Sequence, residues 1–262
     1  MSEYELLEFS VDTGIATITL NRPDAANAFN LTLATELNHA ANRCQQDSGV
    51  RAVILCANGK LFSAGGDLGV MSQAGNQVDV ALKQLTGQLH SAFSIFMRMR
   101  APLIVAVNGA AAGIGLSLAL IGDITIASEK ASFTLAYTAA GLSPDGAATY
   151  FLPKIIGIKR AREMMITNRR LTAAEALEWG MVNQVVGADA LLDETLVLAK
   201  SFAQGPTNAF GSIKSLVLSG FHESLESQMA LEVEAIILNA MSKDGQEGIH
   251  AFLDKRQPKF NA

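Results

Sequence analysis

The first part of the chain alternates short apolar runs with longer segments whose apolar residues recur every three or four positions. Leu6–Val11 and Ile15–Leu20 surround a short turn that contains glycine, a pattern that predicts a β-hairpin. Asn30, a favoured N-cap residue, precedes a segment with helical spacing of apolar residues. Ala52–Ala57 is an uninterrupted apolar run, which predicts a buried strand.

The stretch from Val105 to Ile126 predicts a strand, a glycine-rich turn, a short apolar helix and a second strand. Gly113 and Gly115 stand where the buried helix begins. The first amides of a helix have no partner inside the helix, and the helix dipole favours negative charge there. Since small residues permit close approach, this turn can offer backbone N–H groups to a developing oxyanion. Tight packing of a helix on a sheet explains the same glycines equally well.

The pattern continues with further strands and helices. Val80–Arg98 has the spacing of a long amphipathic helix that carries His90, and Ala131–Ala136 has that of a strand. Ser143-Pro144 predicts the start of a helix, in whose first turn Asp145 would stabilise the dipole. Helices are also predicted over Lys159–Thr167 and Thr172–Trp179, a strand over Asn183–Val186, and only helices from Leu191 onward.

This order of elements predicts the fold class and a division of the chain. Strands that alternate with helices over residues 1–186 indicate an α/β architecture. The change to a wholly helical pattern near residues 190–205 indicates a boundary there. We therefore expect a core formed by residues 1–195 and a helical C-terminal region formed by residues 196–262.

Composition excludes several classes of function. The net charge of −5 argues against a nucleic-acid surface, which needs clustered Lys and Arg. Two cysteines and four scattered histidines form no metal-binding pattern. The acidic start MSEYELLEFS lacks the apolar segment of a signal peptide, and no apolar run is long enough for a membrane span. A cytoplasmic protein without a membrane or nucleic-acid partner is therefore expected.

Several stretches together resemble the crotonase (enoyl-CoA hydratase/isomerase) superfamily. They are LNRPDAANAFN, FSAGGDL, APLIVAVNGAAAGIGLSLALIGDITIA, SFTLAYTAAGLSPDGAATYFLPKIIG, LTAAEALEWGMVNQVV and FLDKRQPKF. Each motif is weak alone, but their order and spacing across nearly the whole chain are specific. The resemblance implies an α/β spiral of ββα turns with a C-terminal helical trimerisation region. It also implies a homotrimer or hexamer, acyl-CoA thioester substrates, and no cofactor besides the coenzyme A of the substrate.

The resemblance also nominates catalytic groups. The family holds a thioester enolate with two backbone N–H groups, which correspond to the amides of Gly66 and Ile114 here. Hydratases of the family position a water with two glutamates, but this chain has Ser117 and Tyr137 at the matching positions. Isomerases of the family carry an acid where this chain has Asp145. A Δ3-Δ2-enoyl-CoA isomerase with Asp145 as acid and base is therefore expected, because one carboxylate can take a proton from C2 and return it to C4.

Three other functions remain open. His90, Tyr137 and Asp145 occupy the positions used by 4-chlorobenzoyl-CoA dehalogenases, in which an aspartate attacks the ring and a histidine activates water. That family has tryptophans where this chain has Leu89 and Tyr137, and His90 is also consistent with a half-buried structural histidine. An enoyl-CoA hydratase with atypical residues and a non-catalytic binding protein are the remaining alternatives.

The resemblance finally implies a binding site for coenzyme A. The candidate residues are Arg22, Ala26, Ala28, Ala64, Asp67, Leu68 and Lys255. Backbone groups near the first loop and the glycine turn would bind the adenine and phosphates, and Lys255 would reach a neighbouring subunit's coenzyme. Asp67 could instead serve the turn, and Lys255 could belong to a solvated face.

Overall fold

The structure, a computed structural model, describes residues 4–260. Residues 1–3 of the expected core and residues 261–262 of the expected helical region lie outside the described residues. The described strands are β1 (Leu7–Asp12), β2 (Ile15–Leu20), β3 (Ala52–Ala57), β4 (Leu103–Val107), β5 (Ala110–Ala112), β6 (Ile124–Ser128), β7 (Ser132–Thr134), β8 (Leu171–Thr172) and β9 (Gln184–Val186).

Eleven α-helices occur among the described residues. They are α1 (Leu31–Gln46), α2 (Leu68–Gln73), α3 (Val78–Arg98), α4 (Ile114–Leu120), α5 (Ala148–Ile156), α6 (Ile158–Thr167), α7 (Ala173–Glu178), α8 (Leu191–Ala203), α9 (Thr207–Ser219), α10 (Leu225–Met241) and α11 (Lys243–Leu253). None of the helices in the described part of the chain is both long and apolar enough to cross a membrane.

Two sheets organise the molecule. The larger has the order β1-β2-β3-β4-β6-β9, in which only the β1–β2 hairpin is antiparallel. The smaller has the order β5-β7-β8. Successive turns of the chain supply one strand to each sheet, β4 then β5, and β6 then β7. The predicted α/β fold of ββα turns followed by C-terminal helices is thereby confirmed.

The apolar run of β3 is explained by burial on both faces. Val53 and Leu55 point into the main core beneath α1, α3 and α4. Ile54 and Cys56 lie on the opposite face, where α8 covers the sheet with Leu191 and Ala199. A parallel strand covered on both faces needs no alternation of apolar and polar residues. Helix α8, which spans the expected boundary at residues 195 and 196, is thus packed on the sheet.

Local signals placed many elements well. The predicted hairpin forms with Leu7 opposite Leu20, and the side chain of Asn30 accepts a hydrogen bond from the Leu33 N–H at 2.9 Å. Strand β5 was not predicted, because its three residues are defined by pairing with β7, far away in sequence. Such pairing is tertiary information that a short Ala run does not carry.

One helix start was predicted wrongly. Ser143-Pro144 does not open a helix, since α5 begins only at Ala148. Gly146 and Ala147 both have φ of 61°, in the left-handed region, so the chain cannot be helical there. Asp145 consequently lies in a loop before the helix, and the interpretation of this residue as a first-turn acid that stabilises a helix dipole is wrong.

Candidate active site

The glycine turn after β3 presents the amide of Gly66. Phe29 and Gly66 form an isolated parallel bridge, in which the Phe29 N–H donates to the Gly65 carbonyl at 2.7 Å and the Asp67 N–H donates to the Phe29 carbonyl at 3.0 Å. In a trans peptide the C=O and the next N–H point in opposite directions. The Gly66 N–H is therefore directed away from Phe29, and no described residue accepts a hydrogen bond from it.

The second amide belongs to Ile114, the first residue of α4. The carbonyl of Gly113 accepts hydrogen bonds from Leu116 N–H at 3.0 Å and Ser117 N–H at 3.2 Å, so the N–H of Ile114 points out of the helix N-terminus. No acceptor for this N–H occurs among the described residues either. The dipole of a short helix adds a modest preference for negative charge at this point.

The two turns touch each other through glycines. A Cβ on Gly65 would lie 3.1 Å from the carbonyl oxygen of Ala112 and 3.5 Å from the Cα of Gly113. Gly65 and Gly113 also have φ of 103° and 53°, which L side chains rarely adopt. Glycine at both positions therefore lets the two backbones meet and places the following amides, those of Gly66 and Ile114, beside one cavity.

That cavity has a volume of about 300 Å³ and a predominantly apolar wall. Its lining includes Gly66, Ile114, Tyr137 and Asp145 together with apolar side chains such as Met71, Leu85, Leu89 and Leu142. Asp145 is the only carboxylate among the residues that line it. A larger apolar cavity of about 430 Å³ lies beneath α9, and it contains neither free amide.

Asp145 is held by the hydroxyls of Tyr137 and Ser117. The Tyr137 hydroxyl donates a short hydrogen bond to Asp145 Oδ1. The buried Ser117 hydroxyl donates to the backbone carbonyl of Asp145 at 3.0 Å. Burial, followed by the Asp145 charge, raises the pKa of Tyr137, so its hydroxyl stays protonated and remains a donor. The aspartate side chain is 29% exposed, and the residue lines the cavity.

His90 lies on the other side of the same carboxylate. Its Nε2 is 3.7 Å from Asp145 Oδ2 and accepts a hydrogen bond from the Gly146 N–H at 3.3 Å. The five nominated catalytic groups, Gly66, Ile114, His90, Tyr137 and Asp145, therefore meet at one place.

The residues nominated for coenzyme A do not all line the cavity. Ala64 and Leu68 line the cavity. Asp67 caps α2 by accepting from the Gly69 and Val70 N–H groups, and its Oδ2 lies 2.7 Å from Nη1 of Arg22. The Arg22 hydrogen bond lowers the pKa of Asp67. Asp67 thus supports the turn, and one guanidinium nitrogen of Arg22 is already engaged.

The remaining nominated residues lie at two other places. Arg22 Nη1 also donates to the carbonyl of Ala28 at 2.8 Å, and Ala26 has φ of 54° at the end of a short 3-10 turn. This loop adjoins the glycine turn, because the Ala64 N–H donates to the Ala26 carbonyl at 2.9 Å. Lys255 follows α11 and is not among the residues that line the cavity.

Sequence reasoning missed the contribution of serine hydroxyls to this site. Ser117 was recognised only as a position without an acid, although its hydroxyl fixes the loop that carries Asp145. Ser63 was noted only as part of the glycine-turn motif FSAGGDL. A small polar residue inside an apolar stretch was the available signal, because a buried hydroxyl is normally hydrogen-bonded.

Within residues 4–260, no group of three or more His, Cys, Asp or Glu side chains could hold a metal ion.

Comparison with known proteins gives concordant matches. The family model described as enoyl-CoA hydratase/isomerase matches residues 10–262. The 1,2-epoxyphenylacetyl-CoA isomerase of Escherichia coli (strain K12) is 36% identical, and the alignment covers 98% of both chains. The 4-chlorobenzoyl coenzyme A dehalogenase-2 of Arthrobacter sp. is 32% identical, with 92% of this chain and 88% of that protein covered. The crystal structure of an enoyl-CoA hydratase from Mycobacterium smegmatis superimposes with a TM-score of 0.92 at 31% identity, covering 98% of this chain and 100% of that one.

Proposed function

The chain belongs to the enoyl-CoA hydratase/isomerase family, and on that premise we propose that it is a Δ3-Δ2-enoyl-CoA isomerase with Asp145 as its acid and base. One observation carries the proposal: a single carboxylate stands in an apolar cavity beside two amides that no described residue uses. Hydration needs a water held by polar anchors, whereas a double-bond shift needs only one base and an oxyanion site.

The two amides would bind the thioester oxygen. Removal of a proton from C2 moves the electron pair toward that oxygen, and the N–H groups of Gly66 and Ile114 stabilise the negative charge that develops there. Loss of one such donor typically lowers the rate by about 10²–10³. The apolar wall strengthens these hydrogen bonds, because a low-dielectric site screens charge less than water does.

Asp145 would carry the proton between two carbons. Its Oδ2 takes a proton from C2 of the 3-enoyl thioester, and the dienolate then forms. The same oxygen returns the proton to C4, and the double bond is left between C2 and C3. Atoms and electrons balance without water, metal or any cofactor besides the coenzyme A of the substrate. Since the Tyr137 hydroxyl bonds to Oδ1, Oδ2 is the oxygen that would act as the base, and this contact supports that role.

Product identity tests this proposal. Three thioesters of matched chain length, a 3-enoyl-, a 2-enoyl- and a saturated acyl-CoA, would be incubated with the enzyme and the products separated by chromatography. We expect the 2-enoyl-CoA from the first, no 3-hydroxyacyl-CoA from the second and no change in the third. Formation of a 3-hydroxyacyl-CoA as the main product would establish a hydratase instead.

A dehalogenase is the second candidate, and one contact favours it. Asp145 and His90 lie 3.7 Å apart, as a nucleophile and its water-activating base would require. Against it, Nε2 of His90 is occupied by the Gly146 N–H, and the cavity wall has Leu89 and Tyr137 in place of the dehalogenase tryptophans. Chloride release from 4-chlorobenzoyl-CoA distinguishes the two reactions.

We also propose that the enzyme is a homotrimer or hexamer that assembles through its C-terminal helices. Helix α10 has no buried residue, although it is rich in apolar side chains. Ile236, Leu238 and Met241 are 68%, 70% and 76% exposed. Leu238 and Met241, three residues apart, share one side of the helix, and exposed apolar side chains of this kind are typical of a protein–protein interface; a second copy of the chain offers the same surface.

A further inference from the structure

Ser63 is fully buried where three segments of the site meet. Its hydroxyl donates to the backbone carbonyl of Asn27 at 2.8 Å and accepts from the Gly65 N–H at 3.2 Å. Its backbone is tied to β5, since the Ser63 N–H donates to the Ala110 carbonyl and the Ala112 N–H donates to the Ser63 carbonyl. One residue therefore joins the first loop and the glycine turn through its side chain, and the strand that leads into α4 through its backbone.

The packing of Ser63 against α4 leaves no spare room. A Cβ on Gly115 would lie 2.7 Å from the Cβ of Ser63 and 2.9 Å from its carbonyl oxygen. Helix α4 thus rests directly on Ser63 one residue after Ile114, whose amide is free. The Ser63 hydroxyl also accepts from the Gly65 N–H. That N–H belongs to the peptide immediately before the one that carries the Gly66 N–H.

The anchor of Ser63 is itself rigid. Asn27 is 1% exposed, and its side-chain amide donates to the carbonyls of Asn58 at 2.9 Å and Leu61 at 3.0 Å. Its Oδ1 accepts from the Arg22 N–H at 2.8 Å. Because the Asn27 carbonyl is held in place, the Ser63 hydroxyl that donates to it has a defined orientation. The Gly65 N–H, which donates to this hydroxyl, is oriented in turn.

We propose that Ser63 is a positioning residue for the oxyanion site, whose hydroxyl fixes the direction of the Gly66 N–H relative to that of Ile114. The inference rests on the proposed function, in which these two amides bind the thioester oxygen. Without the hydroxyl, the Gly65 N–H loses its acceptor in a buried place. Because Gly65 has no side chain, its backbone can tilt so that this N–H reaches another acceptor, and the Gly66 peptide, still held by the Phe29 N–H through the Gly65 carbonyl, then shifts in part.

The thioester carbonyl itself reports the effect. A saturated acyl-CoA with ¹³C at the thioester carbon would be bound to the enzyme, and its C=O stretching frequency measured by infrared difference spectroscopy. We expect the wild-type enzyme to lower the frequency, and Ser63→Ala to lose at least half of that shift. Turnover of a 3-enoyl-CoA should fall about tenfold in kcat, less than the 10²–10³ for complete loss of a donor, with KM nearly unchanged.

Two variants separate positioning from simple stability. Ser128 is another buried serine, distant in sequence from the site, whose hydroxyl accepts from the Lys130 N–H at 3.2 Å. We expect Ser128→Ala to leave the carbonyl shift and kcat unchanged. Ser63→Cys keeps a hydrogen-bonding group at this position but is slightly larger and forms weaker hydrogen bonds, so its carbonyl shift should be intermediate. If Ser63→Ala fails to fold, the carbonyl shift of Ser63→Cys still tests the proposal.

The outcomes distinguish this inference from the proposed function. A folded Ser63→Ala variant with a wild-type carbonyl shift and kcat overturns the positioning role, whatever its melting temperature. If the wild-type enzyme does not lower the carbonyl stretching frequency at all, the proposed oxyanion site and this inference are both wrong. A wild-type enzyme that shifts the carbonyl but isomerises nothing overturns the isomerase assignment only, and the loss of the shift in Ser63→Ala then still supports the role of Ser63.

Discussion

The hydroxyl of Tyr137 donates a hydrogen bond to Oδ1 of Asp145, so the one acid of the cavity is held by a neutral donor. Both residues stand in loops, Tyr137 after β7 and Asp145 before α5. Their neighbours Ala136 and Ala147 have φ of 55° and 61°, conformations that non-glycine residues seldom adopt. Backbone strain next to reactive groups is often found at functional sites, and it persists because the surrounding structure fixes it.

Replacement of Asp145 by Asn should abolish isomerisation without preventing binding. The amide has almost the same shape, but it cannot accept the C2 proton, so kcat should fall by about 10³ or more. Calorimetric titration with a saturated acyl-CoA should show a Kd within about threefold of the wild-type value. Full activity in Asp145→Asn would rule out this residue as the base.

Removal of the Tyr137 hydroxyl should lower kcat and leave KM almost unchanged. Phe at this position keeps the ring but frees Oδ1, so the carboxylate can rotate away from the C2 proton. A hydrogen bond to a charged group is worth about 1.5–3 kcal/mol, and we expect about a tenfold loss of kcat. Tyr150→Phe is the matched control, because that hydroxyl bonds to His222 at 2.6 Å outside the cavity. Equal losses in both variants would argue against a specific role for Tyr137.

The raised pKa of Tyr137 also predicts how stability depends on pH. Since burial and the Asp145 charge raise this pKa above the ordinary 10.0, the unfolded chain loses the proton first as the pH rises. The free energy of unfolding should therefore fall as the pH increases above about 10. Urea denaturation of the wild type and of Tyr137→Phe between pH 8 and 11 measures this, and the variant should show the smaller decrease. Parallel curves for the two proteins would contradict the assignment.

An ion pair between a buried lysine and a partly exposed aspartate should fix α9 to the core. Lys214 Nζ lies 2.6 Å from Asp123 Oδ2 and donates to the carbonyls of Phe96 and Ala101 at 2.8 and 3.1 Å. Burial lowers the pKa of Lys214 and raises that of Asp123, so each charge depends on the other. Lys214→Met should cost about 1–3 kcal/mol, because it removes the cation from Asp123, whose side chain is 27% exposed and therefore partly solvated.

The corresponding double variant tests whether that cost comes from the uncompensated charge. Asp123→Asn combined with Lys214→Met should be less destabilised than the sum of the two single variants, as measured in a double-mutant cycle of chemical denaturation. The exposed pair of Arg169 and Glu163, whose charged atoms are 2.7 Å apart, is the control and should contribute little. Strict additivity at Lys214 and Asp123 would refute the coupling.

Charges on α10 should prevent assembly. Leu238→Glu with Met241→Glu places two carboxylates on one side of α10 that we expect to be buried between copies, and sedimentation should then show the monomer. Val11→Glu, a change at another exposed apolar residue on the edge strand β1, is the control and should sediment as the wild type does. A wild-type protein that sediments as a monomer would remove the basis for the proposed oligomer.

The sequence by itself determined the fold class and the larger part of the elements. The hairpin, the capped start of α1, the buried strand β3 and the long helix α3 all follow from local periodicity and turn residues. The glycines of the two turns also indicated a possible oxyanion site, because a free amide at a helix start and a close approach of backbones are local properties.

Only the tertiary structure decided how these groups act together. Strand β5 exists through its pairing with β7, and the loop at Asp145 is irregular because it lies over α4 and against His90. Sequence alone did not reveal that Tyr137 would bond to Asp145, that Asp67 would be occupied by Arg22, or that Ser63 would join three segments. These contacts join residues brought together by folding, and a hydrogen bond depends on distance and direction in space, which spacing along the chain does not specify.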